Sequence, residues 1–188
     1  KKHHIDFIVT TPSRAELLLM EECENPLKNI KSILLGGEKL TSSLYNRLKK
    51  STNVNIFNGY GPTEITACCS ISNVVSEHIT IGAPISNSQI YICDSNMNML
   101  PIGITGEICV AGAGVANGYL NNPTKTSEAF VKNPFGKDLL YKTGDLGKYL
   151  ENGEIEYIGR LDNQVKLRGL RIELGEIEDR ISEIPDIT

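Results

Sequence analysis

The first sixty residues alternate between buried-strand and helix patterns, and this order constrains the fold more than any other feature. Ser13-Arg14-Ala15-Glu16 forms a capping box that predicts one helix start, and a second amphipathic stretch begins near Thr41. Three short apolar runs predict buried strands around these helices: residues 5–9, 33–35 and 54–57. Strands that alternate with helices build parallel sheets with crossover connections. We therefore predict an α/β class here, as part of a layered sheet.

The pattern changes near Ile79 to short apolar segments separated by glycine, which is typical of antiparallel β structure. These segments are residues 89–93, 107–111, 139–142, 148–150 and 154–158. We predict that they form a β-barrel-like subdomain, with a strongly bent sheet as the alternative. An alternating segment at 165–168 and a helical pattern from Leu174 predict the start of a small α+β domain. The expected division is 1–78 for the α/β part, 79–161 for the β-rich subdomain and 162–188 for the truncated third unit.

Composition excludes several classes of function. The net charge is −4 with a pI near 5.5, which argues against a nucleic-acid or membrane-surface partner. No run approaches the ~18 apolar residues of a membrane-spanning helix. Five cysteines without C-x-x-C spacing indicate neither a disulfide framework nor a zinc site, so we expect a reducing cytoplasm. The sequence does not begin with Met, and it ends shortly after Pro185. We therefore expect a piece of a longer protein.

Asn58-Gly59-Tyr60-Gly61-Pro62-Thr63-Glu64 is the most informative segment, because it directly follows a predicted parallel strand. Ligands of α/β sheets bind outside the carboxyl ends of strands. Thr63 offers a hydroxyl for a phosphate oxygen, Glu64 offers a hard oxygen ligand for Mg²⁺, and Tyr60 can stack on a base. The alternative is a simple hairpin turn at Asn-Gly, which the preceding apolar run makes the weaker interpretation.

Three further segments carry weaker signals. Asp145, after the Gly144 turn, can accept hydrogen bonds from a ribose, although an Asx turn is the favoured interpretation of this segment in isolation. Residues 106–120 are glycine-rich without the dinucleotide fingerprint, so tight β turns are the plainer interpretation. Lys166 and Arg168 are basic, but the acidic run that follows them disfavours nucleic acid.

Taken together and in this order, these segments resemble core motifs of adenylate-forming enzymes, which include acyl- and aryl-CoA ligases, luciferases and amino-acid-activating domains. Three segments are most similar in sequence to adenylation domains of nonribosomal peptide synthetases. They are Gly-Tyr-Gly-Pro-Thr-Glu, Tyr-Lys-Thr-Gly-Asp-Leu and Gly-Arg-Leu-Asp-Asn-Gln-Val-Lys. Residues 10–14 and 36–40 match the same branch, so the resemblance covers the whole chain.

The resemblance implies an ATP-dependent acid–thiol ligase that works in two steps. An amino acid attacks the α-phosphate of MgATP to give aminoacyl-AMP, and the acyl group then passes to the phosphopantetheine thiol of a peptidyl carrier domain. Neighbouring synthetase modules are further implied partners. We expect these 188 residues alone to be inactive, because they contain neither the family's Ser/Thr/Gly-rich phosphate loop nor the lysine of its small domain.

The resemblance also implies residue roles. Thr63 contacts the α-phosphate, Glu64 holds Mg²⁺, and Asp162 is the hinge of the small domain. Asn117 stands where the family usually has Arg. The implied nucleotide-binding set, with Tyr60 on adenine and Asp145 and Arg160 on the ribose, is Gly36, Gly37, Glu38, Asn58, Gly59, Tyr60, Asp145, Tyr157, Arg160 and Lys166. The implied acyl pocket is Val9, Ile33, Leu35, Gly59, Ala67 and Cys68.

Two alternatives stay open at this stage. The same chemistry on a fatty or aryl acid would make the parent protein a CoA ligase. A chain that never had the missing loops would instead be a non-catalytic nucleotide-binding or interaction module. The choice among amino, aryl and fatty acids depends on pocket residues that these 188 positions do not all contain.

Overall fold

The computed structural model describes residues 4–20, 27–162, 164–167, 170–172 and 174–184. The helices are α1 (Pro12–Leu18), α2 (Ser42–Ser51), α3 (Pro123–Ala129) and α4 (Leu174–Ser182), and a 3-10 turn covers Thr63–Ile65. The strands are β1 (Phe7–Thr10), β2 (Ser32–Gly36), β3 (Asn55–Tyr60), β4 (Ser70–Asn73), β5 (Ala83–Pro84), β6 (Ser88–Cys93), β7 (Gly106–Gly112), β8 (Phe130–Lys132), β9 (Leu139–Tyr149), β10 (Ile155–Arg160), β11 (Val165–Leu167) and β12 (Leu170–Ile172).

The first sheet has the strand order β1-β2-β3-β4-β5. β1, β2 and β3 are parallel neighbours joined through α1 and α2, while β4 and β5 add antiparallel strands. The predicted α/β class is confirmed. The capping box at Ser13 was wrong: Thr11 is the N-cap and its hydroxyl accepts from Arg14 N. Pro12 occupies the first helical turn, where it costs no hydrogen bond, and Glu38 accepts a hydrogen bond from the Ser13 hydroxyl.

Alternation along β2 and β3 places the core on one face of this sheet. Ile33, Leu35 and Ile56 pack with Leu44 and Leu48 of α2 in one apolar cluster. Burying each such side chain contributes roughly 1.5–3 kcal/mol, so this face anchors both helices. The other face is half exposed.

The second sheet has the order β10-β9-β7-β6, with β8 also paired to β9. The predicted barrel was wrong, since within the described residues this sheet does not close on itself. In the described residues the end strands of that order, β6 and β10, do not pair with each other, and β8 pairs with the start of β9 instead of bridging them. The two strands predicted at 139–142 and 148–150 are one strand, β9, because its backbone continues through Gly144 at φ +71°.

The two sheets meet near the end of β3. Ile81 N donates to Ile155 O at 2.9 Å and Ile155 N donates to Gly82 O at 2.8 Å. Tyr60 packs in the same apolar cluster as Ile108 and Ile155. This contact brings the loop after β3 beside β9 and β10.

Beyond Asp162 the chain forms the β11–β12 hairpin and α4. The predicted strand and helix are present, whereas β12 was not predicted; Arg168 lies outside the described residues. The limits of the three predicted units stay a prediction. Among the described residues, no helix is long and apolar enough to span a membrane, and Cys68, Cys69, Cys93 and Cys109 are free thiols.

Candidate functional site

A buried carboxylate links the two sheets. Tyr60 Oη donates to Asp145 Oδ2 at 2.6 Å, and Arg160 Nη1 donates to Asp145 Oδ1 at 2.8 Å. Asp145 is 1% exposed. Burial, followed by the charge of Asp145, holds the pKa of Tyr60 well above its usual 10.0, so the phenol stays protonated and donating. Two residues 100 positions apart, Tyr60 and Arg160, therefore both bind the Asp145 carboxylate.

Arg160 also binds Asp162 through a two-bond fork. Its Nε donates to Oδ1 at 2.6 Å and its Nη2 donates to Oδ2 at 2.7 Å. The hydrogen bonds to Asp162 are the main cause of a raised Arg160 pKa. Gly144 leaves room for this fork, since a Cβ there would lie 2.9 Å from Arg160 Nη2. The guanidinium thus joins the buried carboxylate to the residue predicted as a hinge.

A cavity of about 410 Å³ opens beside this network. We call it the tyrosine pocket, because the Tyr60 and Tyr157 rings line it with centroids 6.3 Å apart. Its volume is typical of small-molecule sites. Predicted site residues that line it are Gly37, Glu38, Asn58, Gly59, Tyr60, Tyr157 and Arg160. Asp145 adjoins it through Tyr60 and Arg160, and Gly36 sits at the end of β2 next to Gly37.

Two polar side chains of the tyrosine pocket are oriented by hydrogen bonds to other parts of the chain. Asn58 Nδ2 donates to Thr80 O at 2.7 Å. The Glu38 carboxylate accepts from Ser13 N and Ser13 Oγ, both at 2.9 Å. Glu38 therefore ties the loop after β2 to the start of α1, a contact that the sequence did not indicate.

Glu64 lies in a neighbouring cavity of about 610 Å³, the glutamate pocket, which Glu107, Tyr119, Lys142 and Asp162 also line. Glu64 is 7% exposed, and Tyr119 Oη donates to its Oε1 at 2.8 Å. Sequence reasoning missed Tyr119, which follows Gly118 in the segment interpreted as β turns. Thr63, one residue before Glu64, is exposed.

The donor set around Glu64 fits Mg²⁺ in one specific way. Among the described residues, no group of three or more His, Cys, Asp or Glu side chains could hold a metal alone. Mg²⁺ commonly takes one or two protein carboxylates and fills its shell with phosphate oxygens and water. A single carboxylate such as Glu64 suits that arrangement.

The predicted acyl-pocket residues lie on both faces of the first sheet. Val9 is 66% exposed on the open face, whereas Ile33 and Leu35 are 0% exposed in the core on the opposite face. A Cβ at Gly59 would lie 3.2 Å from Leu34 Cδ1 and 3.6 Å from Cys68 Sγ. The structure thus groups Val9, Gly59 and Cys68 with Leu34. Sequence reasoning missed Leu34, although a shift of one residue along a strand always changes the face.

The remaining predicted residues are placed as follows. Ala67 is exposed with φ +73° in the turn after Glu64. Lys166 pairs with Arg171 in the β11–β12 hairpin, but its side chain lies outside the described residues. Asn117 is exposed, and nothing in the structure explains its difference from the family's usual Arg.

We expect the free energy of unfolding to fall as pH rises from about 10 to 12. Burial, then Asp145, raises the pKa of Tyr157 to about 12, and the same causes hold the pKa of Tyr60 well above its usual 10.0. The unfolded chain loses its tyrosine protons above about pH 10, whereas the folded chain retains them because its tyrosine pKa values are raised. The stability is therefore complete below about pH 10 and declines as the pH rises above it. Denaturant titrations across this range test it, and Tyr157→Phe should flatten the decline. A pH-independent midpoint would contradict it.

Comparisons with known proteins identify the relatives that this chain resembles. Bacitracin synthase 3 of Bacillus licheniformis is 43% identical over 191 residues, which cover 100% of this chain and 3% of that protein. Gramicidin S synthase 2 of Brevibacillus brevis is 44% identical over 180 residues, covering 94% and 4% respectively. The chain therefore spans a small part of these curated relatives.

Solved structures give the same result. PA1221, described as an NRPS protein containing adenylation and PCP domains and bound to a vinylsulfonamide inhibitor, matches with TM-score 0.89 and 32% identity over 96% of this chain and 33% of that one. The NpsA-ThdA adenylation-PCP di-domain from Klebsiella oxytoca matches with TM-score 0.84 and 26% identity over 97% and 35%. The family described as AMP-binding enzyme matches residues 1–120. On that match, which covers more than half of its length, the chain belongs to the family of AMP-binding enzymes.

Proposed function

We propose that this chain is part of an adenylation domain of a nonribosomal peptide synthetase, which forms aminoacyl-AMP from an amino acid and ATP. The observation that carries this proposal is the Tyr60–Asp145–Arg160 network beside a pocket large enough for a nucleoside. Relatives that are bacitracin and gramicidin synthases support the amino-acid branch.

In this proposal the tyrosine pocket binds the nucleoside. Tyr60 and Tyr157 offer ring faces to adenine, and Asn58 lies near its amino group. Asp145 accepts hydrogen bonds from the ribose hydroxyls, and its charge is kept in place by Arg160. Because hydrogen bonds to a charged acceptor are stronger than neutral ones, one buried carboxylate gives the pocket a preference for a full ribose.

The phosphate end lies toward the glutamate pocket. Thr63 donates a hydrogen bond from its hydroxyl to the α-phosphate, and Glu64 would hold the Mg²⁺ ion of the nucleotide. The ion, when bound, offsets charge that develops on the phosphates during transfer. Catalysis of this kind depends on positioning and electrostatics more than on covalent chemistry by the protein.

The acyl group lies against the open face of the first sheet, where Val9, Leu34, Gly59 and Cys68 are apolar or small. An uncharged substrate side chain fits this set best. The second step passes the acyl group to a phosphopantetheine thiol of a carrier domain, after rotation about Asp162. The adenylation-PCP proteins among the structural neighbours support such a partner.

The proposal is tested by ATP–pyrophosphate exchange with the full-length protein that carries this chain, over a panel of amino, aryl and fatty acids. Exchange with one or a few amino acids supports it. Exchange only with acids that lack an amino group would favour a CoA ligase, and none at all from folded protein would favour a binding module. Residues 1–188 alone serve as the control and should give no exchange.

Glu64→Gln should raise the Mg²⁺ concentration needed for half-maximal exchange, since the neutral amide keeps the shape of the side chain but loses the charge that attracts a divalent cation. The measurement is a Mg²⁺ titration of exchange at fixed ATP. The KM for the amino acid is the internal control and should stay the same. An unaltered Mg²⁺ titration would count against the metal-binding role.

A further inference from the structure

The loop before α3 is bound to the turn after β3 by three hydrogen bonds. Thr66 Oγ1 donates to Gly114 O at 2.9 Å, and Ala116 N donates to Glu64 O at 2.8 Å. The third bond runs from Tyr119 Oη to Glu64 Oε1 at 2.8 Å. Two of these bonds fix the position of the turn, and the third fixes the carboxylate that the turn carries.

The turn needs this support because its backbone is unusual. Thr66 and Ala67 both have left-handed backbone angles, with φ of 58° and 73°. Residues other than glycine keep such angles only where their surroundings hold them. A Cβ at Gly114 would lie 2.9 Å from Ile65 O, so the loop and the turn are in close contact.

Tyr119 is itself held on three sides. Its N–H donates to Thr126 Oγ1 of α3 at 2.9 Å. Its ring meets Phe130 edge-on, with centroids 5.4 Å apart and planes at 75°. Gly118, at φ +137°, lets the chain approach α3, since a Cβ there would lie 2.4 Å from Thr126 Cγ2. The phenol hydroxyl therefore reaches Glu64 from a fixed ring.

We propose that Tyr119 is a positioning residue for the Glu64 carboxylate and contributes to the orientation in which that carboxylate meets the divalent cation of a metal–nucleotide substrate. The inference rests on the proposed function, and it adds a residue outside the predicted site. Groups that orient a metal ligand typically change metal affinity or activity by about 10- to 100-fold when removed. Tyr119 is expected to act through Glu64 and to touch neither the nucleotide nor the acid.

The test measures binding and does not depend on turnover. Calorimetry gives the Kd of a non-hydrolysable ATP analogue for the full-length protein, once with excess Mg²⁺ and once with chelator. The ratio of the two values is the gain that the metal provides. We expect Tyr119→Phe to reduce this gain by about 10- to 100-fold while the Kd in chelator stays the same.

Tyr149→Phe is a matched control. It removes a hydroxyl that donates a hydrogen bond of the same length, 2.8 Å, to the backbone carbonyl of Ile90. Tyr149 and Ile90 both lie in the second sheet. We expect it to leave the metal-dependent gain unchanged. If the two variants lost the metal-dependent gain equally, the cause would be the structural effect of losing a partly buried hydroxyl, and the inference would be overturned.

A double-mutant cycle identifies the route of the effect. If Tyr119 acts through Glu64, adding Tyr119→Phe to Glu64→Gln should not reduce the metal-dependent gain any further. The effects of two substitutions that remove the same interaction are non-additive. An additive loss would overturn the inference. If the natural protein binds the analogue with a metal-dependent gain and the Tyr119→Phe variant keeps all of that gain, only this inference is overturned. Absence of any analogue binding to the natural protein overturns the proposed function as well.

A second pair of variants covers the case in which Tyr119→Phe does not fold. Thr126→Val removes the hydroxyl that accepts from Tyr119 N, while Thr126→Ser keeps it. We expect Thr126→Val to reduce the metal-dependent gain, as Tyr119→Phe does. Thr126→Ser should keep the gain of the natural protein. Equal gains in the two Thr126 variants would overturn the inference.

Discussion

Asp145→Asn is expected to lower kcat/KM for ATP by about 10- to 150-fold, because a hydrogen bond to a charged group is worth roughly 1.5–3 kcal/mol. The measurement is ATP–pyrophosphate exchange by the full-length protein at varied ATP. Asparagine has the shape of the aspartate, so the change removes charge and leaves the packing. The amide also cannot accept from both Tyr60 and Arg160, since one of its two polar atoms is a donor.

The ribose assignment has a sharper control than activity alone. The natural protein should prefer ATP over 2′-deoxy and 3′-deoxy ATP, since each analogue lacks a hydroxyl that Asp145 would bind. Asp145→Asn should lose most of that preference, because the hydroxyl and the carboxylate share one interaction. The KM for the amino acid should be unaffected.

A different pattern would contradict the assignment. If Asp145→Asn reduced exchange equally with ATP and with both deoxy analogues, Asp145 would act through Tyr60 and Arg160 and not on the ribose. The buried network makes this a real alternative, since both carboxylate oxygens accept hydrogen bonds from protein donors. Unfolding midpoints of variant and natural protein separate it from simple loss of fold.

The first part of the fold was predictable because its signals are local. Apolar runs, helix periodicity and the order of elements are written within sixty residues, and β1 to β3 with α1 and α2 follow them. The barrel was predicted incorrectly because closure depends on which strands pair, and the pairing of β8 with β9 is not visible in either segment. Gly144 likewise indicated a break, although β9 passes through it.

Glu64 was a candidate from its own chemistry as a hard oxygen ligand, whereas Asp145 became one only through the family resemblance; both carboxylates are buried in the structure. Contacts between residues distant in sequence could not be predicted. Tyr119 binds Glu64 across 55 positions, and a tyrosine next to a glycine has no motif that announces this. For the acyl pocket, strand alternation predicts that Ile33 and Leu35 share one face of the sheet. It does not predict whether that face is the helix-covered one or the open one.

Leu34→Ala and Ile33→Ala should give opposite results, although the two residues are adjacent and both changes remove a four-carbon side chain down to a methyl. Ile33→Ala should cost about 2–5 kcal/mol of unfolding free energy, because Ile33 is fully buried and the change leaves a cavity in the core. Its ratio of exchange rates across the acid panel should equal that of the natural protein. Denaturant titration and the exchange panel measure the two quantities.

Leu34→Ala should instead change the ratio among acids, with a smaller loss of stability. Leu34 Cδ1 lies 3.2 Å from the Cβ position of Gly59, on the face where Cys68 also lies, so truncation enlarges the space there. One missing methylene in an apolar pocket changes discrimination by about 10- to 200-fold, and acids with larger side chains should gain. If Ile33→Ala altered the acid ratio and Leu34→Ala did not, the substrate would lie on the helix-covered face, and the grouping of Val9, Leu34, Gly59 and Cys68 would not be the acyl pocket.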